Sequence, residues 1–336
     1  MKKYNILIFG SNTQSQILAA RLSLCGHSVS FCSDAVTASW INDCGITLID
    51  GQSLSSSTVF IEAYTKSKPL INRPFDFIFV ATSRLEVYPI LEDLVLLSKK
   101  NPNCPLVFMT IAFMGFADLE KALGRENMAF CAISAGGYQT YEGIFCMMGN
   151  SFEKMFRPSA CGEFSGKKTE RLLALKTLLY RCGFDLSLSF HADSWLKTHA
   201  LIQAAAANAL FACNADNYEL SGRKDLVSLL CGAIKEGFAL LEKYGLTAEP
   251  EFSSWKCLPE ALLTAACTMF FNSTCAEYTL ARHFADCAKE MKSLQDEIDA
   301  FADYAKLDCP CMKELKEAAS FYFDTVFLEK LVYNRA

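Results

Sequence analysis

The sequence contains no CxxC, no basic block, no internal repeat and no low-complexity linker. Sixteen cysteines are present, but they are spread singly from Cys25 onward, with Cys309-Pro310-Cys311 the one close pair. Structural zinc needs ligands paired at short spacing, and disulfide frameworks belong to small secreted chains. Neither pattern is met, so the thiols are expected as small buried fillers in a reducing compartment. Four histidines without metal-ligand spacing give no reason to expect a metal site. Lysine and arginine number 32 against 37 aspartates and glutamates, a formal net charge of −5. Without a basic stripe there is no electrostatic footprint for nucleic acid. The longest uncharged stretch, Thr198 to Ala215, is interrupted by His199, Gln203, Asn208 and Asn214, and reads as a buried helix rather than a membrane span. Lys2-Lys3 followed by YNILIF imitates a secretory leader, yet the apolar run stops at Gly10-Ser11-Asn12 without a small-residue cleavage site. A soluble, cytoplasmic protein is expected.

What is present is enough apolar material for two cores. The chain has 336 residues, 51% of them hydrophobic, with 26 Phe and 12 Tyr, a composition that excludes disorder. The first half alternates strand and helix signals. Tyr4–Phe9, Ser28–Cys32, Asp76–Ala81 and Pro105–Thr110 read as buried strands, with helical spacing over Thr13–Leu24 and Val87–Lys99. That alternation predicts an α/β domain with a parallel sheet covered on both faces. Helix Lys168–Tyr180 and strand Phe184–Phe190 complete it, so domains are expected at 1–190 and 191–336. The second half reads as helices over Ser194–Cys213, Lys224–Tyr244, Leu258–Phe271, Thr274–Tyr304 and Lys313–Leu331.

Tyr4–Ser15 is where a dinucleotide fingerprint would lie. The G-x-G-x-x-G register falls on Gly10, Asn12 and Ser15, one glycine of three. Gly10 can make the tight turn, Asn12 adds bulk where a pyrophosphate would approach, and Ser15 is small enough for helix–strand contact. The helix start at Thr13–Ser15 offers N–H groups to an anion. At the end of the second strand, Asp34 either accepts from an adenine ribose, which favours NAD over NADP, or simply caps the next helix.

Several segments, taken in order, resemble the ketopantoate reductase (2-dehydropantoate 2-reductase) family, as a divergent member. ILIFGSNTQSQILAARLSLCGHSVSF resembles its opening strand–turn–helix–strand, and FDFIFVATSR the strand that follows. LEKALGRENMAFCAISAGG resembles the stretch ending in paired glycines, here Gly136-Gly137, and DSWLKTHA the segment that opens the helical domain. The resemblance implies a Rossmann-type N-terminal domain followed by an all-α domain like the C-terminal part of 6-phosphogluconate dehydrogenase. It implies hydride transfer from NADPH to the keto carbon of a small 2-oxo acid, and a homodimer. Cofactor contacts would come from Gly10, Ser11, Asn12, Thr13, Gln14, Ser15, Asp34 and Thr82. Lys197 would be the general acid, and Glu290, twenty residues before Pro310, the carboxylate that binds substrate. A lysine snorkelling at a helix start and a solvated helix carboxylate are the plain alternatives. Glu297 has flanks similar to those of Glu290, so periodicity does not choose between them.

The departures matter too. Amide side chains expected one and two turns after the lysine read Leu201 and Ala205, and Asn208 lies roughly 16 Å up the helix axis from Lys197. An asparagine expected after the PLVFMT strand falls within Ile111-Ala112 and is absent. A lysine expected after DFIFVA reads Ser83, with Arg84 beside it, and the basic residue for a 2′-phosphate reads Asp34. Three readings follow: an NAD(P)-dependent oxidoreductase with a more apolar carbonyl substrate, a non-catalytic nucleotide or metabolite binder, or a ketopantoate reductase with a rebuilt site.

Overall fold

The computed structural model describes residues 2–148, 159–249 and 254–333. They fall into two compact units, Met1–Ile111 with Phe116–Asp193, and Ala112–Gly115 with Ser194–Ala336.

The first unit carries twelve strands among its described residues: β1 (Asn5–Phe9), β2 (Ser28–Cys32), β3 (Ile46–Asp50), β4 (Ser56–Val59), β5 (Glu62–Tyr64), β6 (Phe77–Val80), β7 (Leu106–Phe108), β8 (Met128–Ala132), β9 (Ala135–Gln139), β10 (Ile144–Met148), β11 (Ala160–Glu163) and β12 (Ser187–Leu188). Eight form one sheet in the order β5-β2-β1-β6-β7-β8-β11-β12. Every neighbouring pair is parallel except β8 with β11. The FIFV and LVF strands are buried along their whole length, as a sheet covered on both faces requires. The chain starts in the middle at β1, winds outward through β2 to β5, then returns to β6. Strand order therefore reverses between β1 and β6, the place where open parallel sheets leave a crevice at their carboxyl ends.

The other four strands form a second sheet, β4-β3-β10-β9. Helix Thr13–Leu24 shares a core with it: Ile17, Leu18 and Leu22 are fully buried in one cluster with Leu48, Ala135 and Ile144. Sequence reading misses this sheet. Its strands are short, β4 is the polar run SSTV with three exposed residues, and β9 carries Gly136-Gly137. Gly137 is required there, because a Cβ would stand 2.1 Å from the Phe145 carbonyl oxygen across the β9–β10 ladder. The strand expected over Phe184–Phe190 contracts to Ser187–Leu188.

The second unit is helical. Its main helices are Ala192–Phe211, Lys224–Lys243, Glu260–Phe271, Ala288–Ala305 and Pro310–Tyr333. Every residue from Trp195 to Phe211 is buried, which makes that helix the centre of the unit. The single helix expected over Thr274–Tyr304 is instead broken. A π-helical turn occupies Glu277–Ala281, a short helix Arg282–Asp286 follows, and Cys287 leaves helical geometry before Ala288–Ala305 begins. The ladder bond there is kept, Cys287 N–H to the His283 carbonyl at 3.1 Å, and the Cys287 Sγ back-bonds to the same oxygen at 3.0 Å, a contact that bends helices.

None of the sixteen cysteines is in a disulfide, and eleven are buried. Burial pushes the thiols of Cys104 and Cys161 up to about 12, so they are inert fillers at neutral pH. No helix among the described residues is long and apolar enough to cross a membrane.

Candidate functional site

The sheet brings Gly10–Ser15, Asp34 and Thr82 to one edge. Gly10 N–H donates to the Cys32 carbonyl at 3.1 Å, and Ala81 N–H to the Phe9 carbonyl at 2.8 Å, so β1, β2 and β6 end side by side. The turn after β1 is tight. A Cβ on Gly10 would lie 2.6 Å from Ser15 Cβ and 2.8 Å from the Ala81 oxygen. Glycine is therefore required here for close approach, although two of the three fingerprint glycines are gone.

Asn12 takes the place of the second glycine and closes the turn with its side chain. It is the N-cap of helix Thr13–Leu24: its Oδ1 accepts from Ser15 N–H at 2.9 Å, and its Nδ2 donates to the Ala81 carbonyl at 3.2 Å. Ser15 is fully buried and its Oγ donates back to the Asn12 carbonyl at 2.6 Å. This corrects the expectation that Thr13–Ser15 together present amides to an anion, since the Ser15 amide is already bonded. Gln14 Nε2 donates to the Ala135 carbonyl at 3.3 Å and Gln16 Nε2 to the Ser11 carbonyl at 3.3 Å.

Asp34 caps helix Ala35–Cys44, accepting through Oδ1 from Val36 and Thr37 N–H at 2.9 and 3.0 Å. The other oxygen accepts from Ser33 Oγ at 3.3 Å and remains on the surface. The Thr37 amide bond, with smaller help from Val36 and Ser33, holds this carboxyl below the usual range. The stabilisation it gives is complete above the unfolded value near 4 and is lost as pH falls through the lowered one. Capping leaves Oδ2 available to a ribose, so the two readings of Asp34 are compatible. Thr82 follows β6; its carbonyl accepts from Thr110 Oγ1 at 2.7 Å, while its own Oγ1 is buried with no partner among the described residues. Arg84, the one cation beside Ser83, is engaged by Asp118 at 3.0 Å and by the Tyr88 hydroxyl at 3.2 Å.

In the second unit, Lys197 sits on the buried helix and is 9% exposed. Lysine is almost never found so deep without a specific reason, which argues against simple snorkelling. Leu201 and Ala205 are also buried, and Leu201 packs so closely on Gly237 that a Cβ there would come within 3.0 Å of it. The apolar residue in place of the expected amide thus has a packing role between helices.

Glu290 and Glu297, which periodicity cannot tell apart, separate in the structure. Glu290 is half-buried on the first turn of helix Ala288–Ala305. Glu297 is committed elsewhere: its Oε2 accepts from Phe113 and Met114 N–H at 3.0 and 2.8 Å. It ties down the short segment Ala112–Gly115, whose buried Phe113 ring meets Phe301 edge-on at 5.0 Å. Removing this acceptor by Glu297→Ala should cost about 1.5–3 kcal/mol in urea unfolding and raise amide exchange at Phe113. A loss below about 0.5 kcal/mol would mean that water replaces the carboxylate without penalty.

No protein-family model matches this chain, and no curated protein matches it in sequence. Solved structures do resemble it. D-mandelate dehydrogenase, solved with NADH and anilino(oxo)acetate, superposes with a TM-score of 0.72 over 96% of this chain and 98% of its own, at 13% identity. The 2-dehydropantoate 2-reductase of Geobacter metallireducens gives 0.71 over 94% and 98%, also at 13% identity. The dimeric ketopantoate reductase of Staphylococcus aureus gives 0.64 over 96% and 99%, at 11% identity. From end to end, the chain has the fold of the ketopantoate reductases.

Proposed function

We propose that this chain is a nicotinamide-dependent oxidoreductase, a divergent relative of the ketopantoate reductases, that reduces the keto carbon of a 2-oxo acid with an apolar side chain. The observation that carries the reading is the edge where β1, β2 and β6 end. A tight turn at Gly10 stands beside the partnerless buried Thr82 hydroxyl, with the outer oxygen of Asp34 on the same edge. These groups fit a dinucleotide: Gly10 to Gln14 and Thr82 would hold its phosphate-bearing half, and Asp34 its ribose. Asp34 would repel a 2′-phosphate, which supports NADH over NADPH. Bound there, the dinucleotide supplies a hydride. Lys197 Nζ holds the proton and the positive charge that a developing alkoxide needs, and Glu290 orients the substrate. The apolar residues at Ile111, Ala112, Leu201 and Ala205 support a substrate poorer in hydroxyls than ketopantoate. D-mandelate dehydrogenase, with the same fold, was solved with NADH and an aromatic 2-oxo ligand.

We further propose a homodimer, by likeness to the Staphylococcus aureus enzyme, and a cytoplasmic location, supported by sixteen thiols outside any disulfide. A second reading, a non-catalytic nucleotide or metabolite binder, is favoured by one observation: Asn12 occupies the Ser15 amide that an anion would otherwise use. Melting temperature with NADH, NADPH or neither tests both. NADH at 100 times its Kd should stabilise the fold by about 2.7 kcal/mol, and NADPH much less. No shift with either cofactor overturns the oxidoreductase. A shift with NADH but no oxidation of it by any 2-oxo acid leaves the binder.

A further inference from the structure

Helices Ala288–Ala305 and Pro310–Tyr333 flank a cavity of about 520 Å³ in the helical unit, large enough for a small molecule. At its wall stands Asn208, 3% exposed, on the same helix as Lys197. Its orientation is fixed by a relay that starts from a carboxylate. Asp299 can only accept, so the Gln295 group facing it at 2.6 Å is the donor Nε2. Gln295 Oε1 therefore faces Asn208 and accepts from its Nδ2 at 2.8 Å. Lys316 closes the chain on the other Asp299 oxygen. With its nitrogen committed, Asn208 turns a carbonyl oxygen that accepts no hydrogen bond among the described residues. A ligand N–H would satisfy it.

The charges around the cavity point the same way. Lys292 is paired with Asp296, Lys316 with Asp296 and Asp299, and Lys313 with Asp308. Asp303, Glu317 and Asp324 also line the cavity, and none forms an ion pair among the described residues. An anionic ligand would meet uncompensated negative charge, whereas an ammonium would be drawn in. Leu307, Met312 and Phe323 supply apolar wall. We propose that this cavity is a binding site for a small organic ammonium with an apolar, preferably aromatic, body. None of its lining residues is among those assigned to hydride transfer, and the proposal does not rest on that reading.

Calorimetric titration of the intact protein with 2-phenylethylammonium, and with 3-phenylpropanoate as an anion of matched size, tests it. Saturable binding of the ammonium is expected, about tenfold tighter than the carboxylate or better. Asp303→Asn, at an exposed position, should weaken it about threefold. Ser320→Trp fills the mouth from an exposed position and should abolish binding while the fold still melts cooperatively. Equal binding of the two probes, no saturable heat with the ammonium, or binding that survives Ser320→Trp would each overturn the proposal.

Discussion

Lys197→Met is expected to lower turnover of a 2-oxo acid by about 10²–10⁴-fold while leaving the NADH-induced melting shift intact. Methionine keeps the length and volume of the aliphatic stem, so packing along the buried helix is preserved. Only the ammonium is lost. If it acts on the developing alkoxide and not on the ground-state carbonyl, kcat and kcat/KM should fall together with KM nearly unchanged. A structural role predicts the opposite pattern. A lysine kept for an internal contact would lose stability on substitution and keep turnover in the fraction that remains folded. Turnover equal to the parent in Lys197→Met would remove this residue from the chemistry. Parallel loss of NADH binding would instead point to a collapsed unit. Glu290→Gln is the companion variant, and it should raise KM more than it lowers kcat if the carboxylate chiefly holds substrate.

How far the fold was legible depends on which physical signal each element carries. Helix Thr13–Leu24 and strand β2 were readable to the residue, because one has clean helical spacing and the other is a short β-rich run between turns. The second sheet was illegible for the reasons its strands show: polar SSTV at the edge, and a glycine pair whose value lies in a cross-strand contact that no local pattern reports. The break at Cys287 was hidden because KEMKSLQDEIDAFADYA continues the helical stripe of the segment before it. At the candidate site, the turn at Gly10 followed from sequence, whereas the depth of Lys197 did not, because a lysine near a helix start reads equally well as a snorkelling side chain. Capping by Asp34 could not be told from a ribose contact in sequence, since a cap and a ribose acceptor call for the same residue at the same place. The choice between Glu290 and Glu297 needed a partner 184 residues away in sequence, the Phe113 amide.

The ion pair of Glu163 with Arg171 was equally invisible in sequence and should give the largest loss of stability. Glu163 ends β11 with its side chain wholly buried. Arg171 grips both its oxygens, Nε to Oε1 at 2.8 Å and Nη2 to Oε2 at 2.6 Å, and Thr169 Oγ1 donates to Oε1 at 2.5 Å. The same guanidinium bonds to the Glu126 carbonyl, so one side chain joins β11, the start of helix Glu170–Arg181 and the turn before β8. Arg171→Met leaves a buried carboxylate with the Thr169 hydroxyl as its one neutral donor. The expected cost is about 3–5 kcal/mol in denaturant unfolding, because the stranded charge keeps its desolvation penalty and loses its counter-charge. Glu163→Leu combined with Arg171→Met should recover most of the loss, as two apolar residues of similar volume need no solvation. If Arg171→Met costs less than about 1 kcal/mol at neutral pH, water reaches Glu163 in solution, and the pair behaves as a surface ion pair.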